Sequence, residues 1–257
     1  FVSGQISAVK LYPAGATTNS QSGVQNFEKI KPILEIMAEI GCPLCIHGEV
    51  TDSNIDIFDR EKAFIDNVLN KIRNDNPALK VIMEHITTKD AVDYVFSGNE
   101  NLAATVTTHH LSINRNDLLT GGIRPHFYCL PVVKRESHRL ALVEAVVSGS
   151  PKFFLGTDSA PHLDQDKESF CGCAGCFTAT NTLEILAHIF DEQEALNKLE
   201  LFTSINGAKF YGKNINSDKI RIVKKDKPTS FPEKISTPRG EITVFKPNFE
   251  TKWQVQI

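Results

Sequence analysis

Short apolar runs and longer amphipathic runs take turns along this chain. ISAVKLYP, CPLCIHGEV, LKVIMEHIT, LAATVTTHHL and KFFLGTDSAP are rich in β-branched residues and predict strands, with FYCLP a weaker sixth. Between them, VQNFEKIKPILEIMAEI, DREKAFIDNVLNKIRND, TKDAVDYVFSG and ESHRLALVEAVVSG predict helices. In the first of these, Phe27, Ile30, Leu34, Met37 and Ile40 recur at helical spacing. Pro32 falls inside that pattern, so the helix should start near it or kink there, and Gly41 with Pro43 should stop it.

Such alternation predicts an α/β protein with a mostly parallel sheet covered by helices. Near-continuous apolar strands fit burial on both faces. A doubly wound sheet and a (β/α) barrel both stand at this point, although no G-x-G-x-x-G follows any strand. From Asn214 the pattern changes to Lys-rich, Pro-punctuated sequence with strand-like pieces such as GEITVFKP and KWQVQI. Residues 1–213 are therefore expected to form the main domain, and 214–257 a small appendage packed on it.

Four predicted strands end in a residue able to bind a metal or a proton: Lys10, His47, His85 and Asp158. Their spacing is nearly regular, with the last interval about double, which predicts that they stand at one level of the sheet. In a (β/α) barrel, side chains at the C-terminal strand ends converge on one site. Singly, each has a plain structural reading: a hydrogen-bonded His, a capping Asp, a snorkelling Lys. Four in register point to a metal hydrolase, because imidazoles and carboxylates are the usual zinc ligands and a catalytic site keeps a position open for water.

Lys10 is the difficult member. A lysine in an apolar strand must have its charge paired, removed or put to use. An ammonium has no lone pair to offer a metal. A desolvated, neutral amine could add CO₂ to give a carbamate with two anionic oxygens; from the residues alone, a Schiff-base lysine is equally open.

Composition narrows the classes. The chain has 257 residues, 41% hydrophobic and 23% charged, with a net charge of −3. That is ordinary for a soluble globular protein and suggests neither a nucleic-acid partner nor an anionic membrane. No apolar run approaches the roughly 18 residues that span a bilayer, and no signal-peptide pattern is visible. Six scattered cysteines favour a reducing cytoplasm over a disulfide framework. The first residue is Phe and strand-like sequence follows at once, so a longer chain with an upstream part is expected.

With their flanks, VKLYPAGATTNS, IHGEVTDSNIDIFDRE, EHITTKDA, GGIRPHFYCLPVVKR, FLGTDSAPH and KESFCGCAGCF resemble the bacterial-type dihydroorotases of the amidohydrolase superfamily. The resemblance runs from about residue 8 to residue 177 and continues less distinctly to SINGAKFYG. It implies a (β/α)₈ TIM barrel, here without its first βα units, and reversible hydrolysis of dihydroorotate to N-carbamoyl-L-aspartate in pyrimidine synthesis. Two Zn²⁺ would be bridged by a carbamylated Lys10 and a hydroxide. His47 and His85 would ligate the more exposed ion, and Asp158 would ligate the buried ion and shuttle the proton. His162 would hold the substrate carboxylate, the backbones of Leu130 and Ala174 would touch the pyrimidine ring, and Thr17 and Thr18 would tip a mobile loop. A homodimer is implied as well.

One departure matters. The family's H-x-H strand, which completes the buried metal site, is absent, as are the upstream arginine and asparagine that bind the substrate carboxylate. About three βα units are therefore expected before Phe1, or a companion N-terminal segment, and this chain alone should be inactive. Another cyclic-amide hydrolase, or a catalytically dead homologue serving as a scaffold, are the competing readings. The intact Lys10, His47, His85, Asp158 and His162 speak against the scaffold.

Other constellations are set aside. Cys171, Cys173 and Cys176 form CxCxxC without an obvious fourth ligand and are read as free thiols. Cys42 and Cys45 should face opposite sides of a strand, as should the rings of His109 and His110. DSNIDIFDREKA fails as a calcium loop, with Ile57 where glycine is required and Ala63 at the twelfth position. His109, His110, His126, His138 and His188 receive no role.

Overall fold

The computed structural model describes residues 1–256. A parallel sheet lies at its centre: β1 (Val9–Leu11), β2 (Leu44–His47), β3 (Val81–Glu84), β4 (Leu102–Val106) and β5 (Phe153–Leu155), paired in chain order. The connections are helical. α1 (Lys31–Ile40) leads to β2; α2 (Arg60–Phe64), a π turn (Ile65–Leu69) and α3 (Asn70–Asp75) lead to β3; α4 (Lys89–Ser97) leads to β4. α5 (Thr108–Ser112), α6 (Arg115–Leu119) and α7 (Glu136–Val147) precede β5, and α8 (Asp164–Lys167), α9 (Thr182–Glu192) and α10 (Asn206–Phe210) follow it. Two antiparallel pairs close the chain, β6 (Arg221–Lys224) with β9 (Trp253–Gln256) and β7 (Lys234–Thr237) with β8 (Gly240–Thr243).

α1 begins where the sequence puts it, with Pro32 in its first turn, and Gly41 ends it in the left-handed conformation at φ 68°.

Strand side chains sort by parity into two cores. Leu11, Leu44, Ile46, Val81, Met83, Ala104, Val106 and Phe153 join Leu34, Met37, Phe64, Val95, Leu142 and Phe190 of the helices in the larger one. Cys45, Ile82, Ala103 and Phe154 face the other way and form a smaller cluster with Ala8, Phe210 and Tyr211. Both faces are thus covered, as the unbroken apolar strands require. Among the described residues β1 and β5 each pair on one side only, so these strands form an arc of a (β/α) barrel wall.

Three expectations are corrected. FYCLP is not a strand: Pro125–Phe127 is a 3₁₀ turn and the chain then runs irregularly through Pro131, which has no N–H for a ladder. His109 and His110 do not splay across a strand. Thr107 caps α5, its hydroxyl accepting from the His110 N–H, and helical backbone brings the two ring centroids to 4.5 Å. Nor do the four strand-end residues share one level. Lys10 pairs with Cys45, two residues short of His47, and His47 pairs with Glu84. Strands in a barrel tilt, so neighbours across the axis are staggered in register by about one residue per strand.

The βα loop after β3 is held by a buried carboxylate. Glu61 of α2 accepts from the backbone N–H of Thr87 (2.9 Å) and of Thr88 (2.8 Å) and from both threonine hydroxyls. Thr88 in turn caps α4 through Ala91. Replacing Glu61 by Leu strands these donors in the core and should cost about 3–5 kcal/mol, read as a lowered urea midpoint. Thr88→Val, which removes one donor to Glu61 and the helix cap, should cost about 1 kcal/mol.

Candidate active site at the C-terminal ends of the strands

Parity places the first members of the site. Lys10, Cys45, His47, Ile82 and Glu84 lie an even number of register steps apart and so face the same side of the sheet. Glu84 is paired with the Lys10 ammonium, which remains partly exposed. The charge that made Lys10 anomalous is therefore paired, by a residue that the sequence did not single out. The signal was present: Glu84 immediately precedes His85 and shares the face of Lys10.

His85 comes one residue after Glu84 and would point to the helical side in regular strand. Its backbone is left-handed instead, at φ 45°, and the Thr105 hydroxyl accepts its N–H at 2.7 Å. Its ring consequently meets the edge of His47, with centroids 4.8 Å apart. Asp158 departs in the same way at φ 40°, just after Gly156, where a Cβ would sit 2.7 Å from the Thr105 Cβ. Both site residues hold the sparsely populated conformation that concentrates where function demands it.

The electrostatics follow from this crowding. Burial pushes the His85 imidazole well below its usual range, and His47 and Lys10 push it further. Asp158 still reaches solvent, yet partial desolvation raises its carboxyl, opposed by the Lys10 ammonium. His47 Nε2 is 2.8 Å from Glu49 Oε2. A carboxylate there can only accept, so Nε2 is the donor in this contact and Nδ1 is the ring nitrogen turned away from Glu49. Glu49, two residues after His47, was also missed, although an i, i+2 pair on a strand end shares a face.

These groups fit metal ions. His47 offers a free ring nitrogen, and His85 Nδ1 is buried with no partner among the described residues. Among the described residues, His47, His85 and Asp158 do not close to within 4.8 Å of one another as His109, His110 and Cys129 do.

The expected substrate side also assembles. His162 Nε2 donates to the Ala174 carbonyl at 3.2 Å, and the Gly175 N–H donates to Tyr128 O at 2.9 Å, two residues before Leu130. Gly175 has φ 151°, and a Cβ there would lie 2.5 Å from the Ala160 Cβ, so only glycine permits this approach. Lys167, unnoticed in the sequence, is buried and donates to the carbonyls of Tyr128, Cys173 and Gly175 at 2.9, 2.8 and 2.8 Å. All six cysteines are free, including the CxCxxC group.

Thr17 and Thr18 are half-buried in a loop turned by Ser20, whose hydroxyl accepts from the Thr17 N–H at 3.0 Å. The loop base is pinned by Val24 N–H to Tyr12 O at 2.9 Å. That base, through Pro13, Ala14 and Val24, lines a cavity of about 330 Å³ together with Glu49. Among the described residues, no hydrogen bond joins either threonine to Lys10, His47, His85 or Asp158.

A partial (β/α) barrel with imidazoles, a carboxylate and a lysine at its strand ends defines a metal-dependent hydrolase of the amidohydrolase class, and residues 2–224 match that family. The chain belongs to the amidohydrolase family. Its relatives within it are dihydroorotases. The dihydroorotase of Ruegeria sp. (strain TM1040) is 64% identical over 253 residues, 98% of this chain and 73% of that protein. The crystal structure of the Saccharomyces cerevisiae dihydroorotase in complex with 5-fluoroorotic acid superposes with a TM-score of 0.88 at 36% identity, covering 98% of this chain and 73% of that one. The Campylobacter jejuni dihydroorotase gives 0.87, also at 36%, over 98% and 72%. Among the described residues no helix is long and apolar enough to cross a membrane.

The buried imidazoles give the fold a pH dependence. His85 and His109 are both held well below their usual pKa, chiefly by burial. An unfolded histidine titrates near 6.5, so below about that pH the unfolded chain binds more protons and stability falls. In the metal-free protein the melting temperature should drop between about pH 7 and pH 5. The drop should be smaller in His109→Gln.

Proposed function

We infer that this protein hydrolyses dihydroorotate reversibly to N-carbamoyl-L-aspartate, a step of pyrimidine synthesis. The observation that carries this reading is 64% identity to a dihydroorotase across 98% of the chain. In the same reading the site residues take the roles that the motifs imply. Lys10, His47, His85 and Asp158 would hold two divalent cations, zinc by the chemistry of the donors. Bound there, such cations would polarise the ring amide and lower the pKa of water into the neutral range.

The chain's own residues do the rest. Lys10 would serve as a carbamate: its ammonium gives up one proton, the amine nitrogen adds CO₂ and releases a second, and the new anion must part from Glu84, since two anions repel. Asp158, its carboxyl already raised by partial desolvation, takes the proton of the attacking water and returns it to the ring nitrogen as the amide bond breaks. His162 meets the substrate carboxylate, with its ring oriented by Ala174 O. The backbones of Leu130 and Ala174 flank the pyrimidine. Thr17 and Thr18 would close over the substrate and donate hydrogen bonds as charge develops on it. A homodimer and a cytoplasmic location belong to the same reading, and both rest on the family resemblance.

Ring opening of dihydroorotate, measured with zinc and bicarbonate supplied to the protein that carries this chain, tests the reading. Turnover should be confined to dihydroorotate among cyclic amides and should be lost on chelation. Asp158→Asn should lower kcat by about 10²–10⁴-fold, the usual size of a general acid–base contribution. Hydrolysis of hydantoin or dihydrouracil in place of dihydroorotate would overturn the substrate. Metal-loaded, folded protein without any cyclic-amide turnover would make it a scaffold.

A further inference from the structure

A second cluster of metal-binding side chains lies behind the substrate wall. His109 and His110 of α5 and Cys129 each offer one ligand atom, all buried and all within 4.8 Å of one another. His110 Nε2 lies 2.8 Å from the Pro131 carbonyl, which can only accept, so this nitrogen is the donor; its Nδ1 takes the Thr107 hydroxyl, also at 2.8 Å. Cys129 Sγ is 3.5 Å from His110 Nε2 and 3.3 Å from the same carbonyl. His109 is different. Both of its ring nitrogens are buried with no partner among the described residues. A buried polar group without a partner costs about 1–3 kcal/mol, and natural cores keep few of them.

We propose that His109, His110 and Cys129 form a structural site for a thiophilic divalent cation such as zinc, with the Pro131 carbonyl beside the fourth position. Two imidazoles and a thiolate are donors of borderline softness, suited to zinc and poorly suited to magnesium or calcium. No carboxylate belongs to the cluster.

The proton balance is simple. On uptake the Cys129 S–H bond breaks, sulfur binds the cation, and the proton leaves to solvent. His110 moves its proton from Nε2 to Nδ1, and the Thr107 hydroxyl turns to accept it. The neighbouring Cys176 and burial hold the Cys129 thiol well above its usual range, so the cation must displace the proton against them; nearby is the Lys167 ammonium. It is itself held by the carbonyls of Tyr128, Cys173 and Gly175. A cation here would therefore pin Cys129, the neighbour of Leu130, against α5, and through Lys167 would steady the loop that carries Ala174. This inference stands apart from the proposed reaction, because none of its three ligands belongs to the strand-end site.

Cobalt(II) separates the two sites. Bound by a thiolate it gives a sulfur-to-metal charge-transfer band in the near ultraviolet; bound by imidazole and oxygen it does not. The chelator-stripped protein, titrated with cobalt, should develop that band with one cobalt per chain. Cys171→Ser/Cys173→Ser should keep it. Cys129→Ser should abolish it, and His109→Gln, which leaves the sulfur in place and guards against a misfolded serine variant, should weaken cobalt binding in the same band. Saturation without the band overturns the proposal. So does a band that survives Cys129→Ser, or one lost when only the exposed Cys171 and Cys173 are replaced.

Discussion

Successive side chains on a strand face opposite sides of the sheet, so a strand end can present only one parity of residue to the interior. β2 and β3 obey this up to His47 and Glu84, and there the supply of inward positions stops. A second imidazole enters only because the backbone at His85 turns left-handed, and a carboxylate enters from β5 by the same device at Asp158. The remaining geometry depends on these two breaks. The Thr105 hydroxyl holds the first, Gly156 makes room for the second beside that same threonine, and Glu61 fixes the loop that leaves His85.

Charge is arranged around them with similar economy. Lys10 is bound to Glu84, and Glu49 to His47, so two of the four prospective ligands already have a carboxylate partner. The two carboxylates act differently. Glu49 selects the nitrogen that His47 leaves free, an orientation that persists when a cation is present. Glu84 holds a charge that the carbamate chemistry would remove, and its pairing with Lys10 describes the site before that step.

The sequence made much of this legible. Alternating strand and helix patterns gave the α/β class, and Pro32 and Gly41 bound the first helix as expected because local sterics decide them, whereas the strands are shorter than their apolar runs. The four strand-end residues were also found, through their spacing. Their common level was not, since stagger between tilted strands is a property of the closed sheet and leaves no mark in any one strand. Parity would have exposed Glu84 and Glu49. It misled at His109 and His110, where Thr107 caps a helix that the apolar run LAATVTTHHL conceals. Lys167 carried no signal, because its value lies in three carbonyls brought together only by the folded loop.

The unpaired polar atoms show where folding and function conflict. Among the described residues, Glu49 Oε1, Arg60 Nε, His85 Nδ1, both nitrogens of His109, Thr108 Oγ1, Thr178 Oγ1 and Asn181 Oδ1 are buried without partners, and of these His85 and His109 are potential ligands. Glu61, Asn206 and Lys167 are satisfied by contrast. A chain that bound nothing would gain by replacing those groups with apolar ones of the same volume. Their retention makes sense if bound cations return what the empty fold gives up, since any ligand that binds only the folded state stabilises it in proportion to its affinity. Cations bound at His85 would then add to the stability of the fold in proportion to their affinity, and so offset part of the cost of its left-handed backbone.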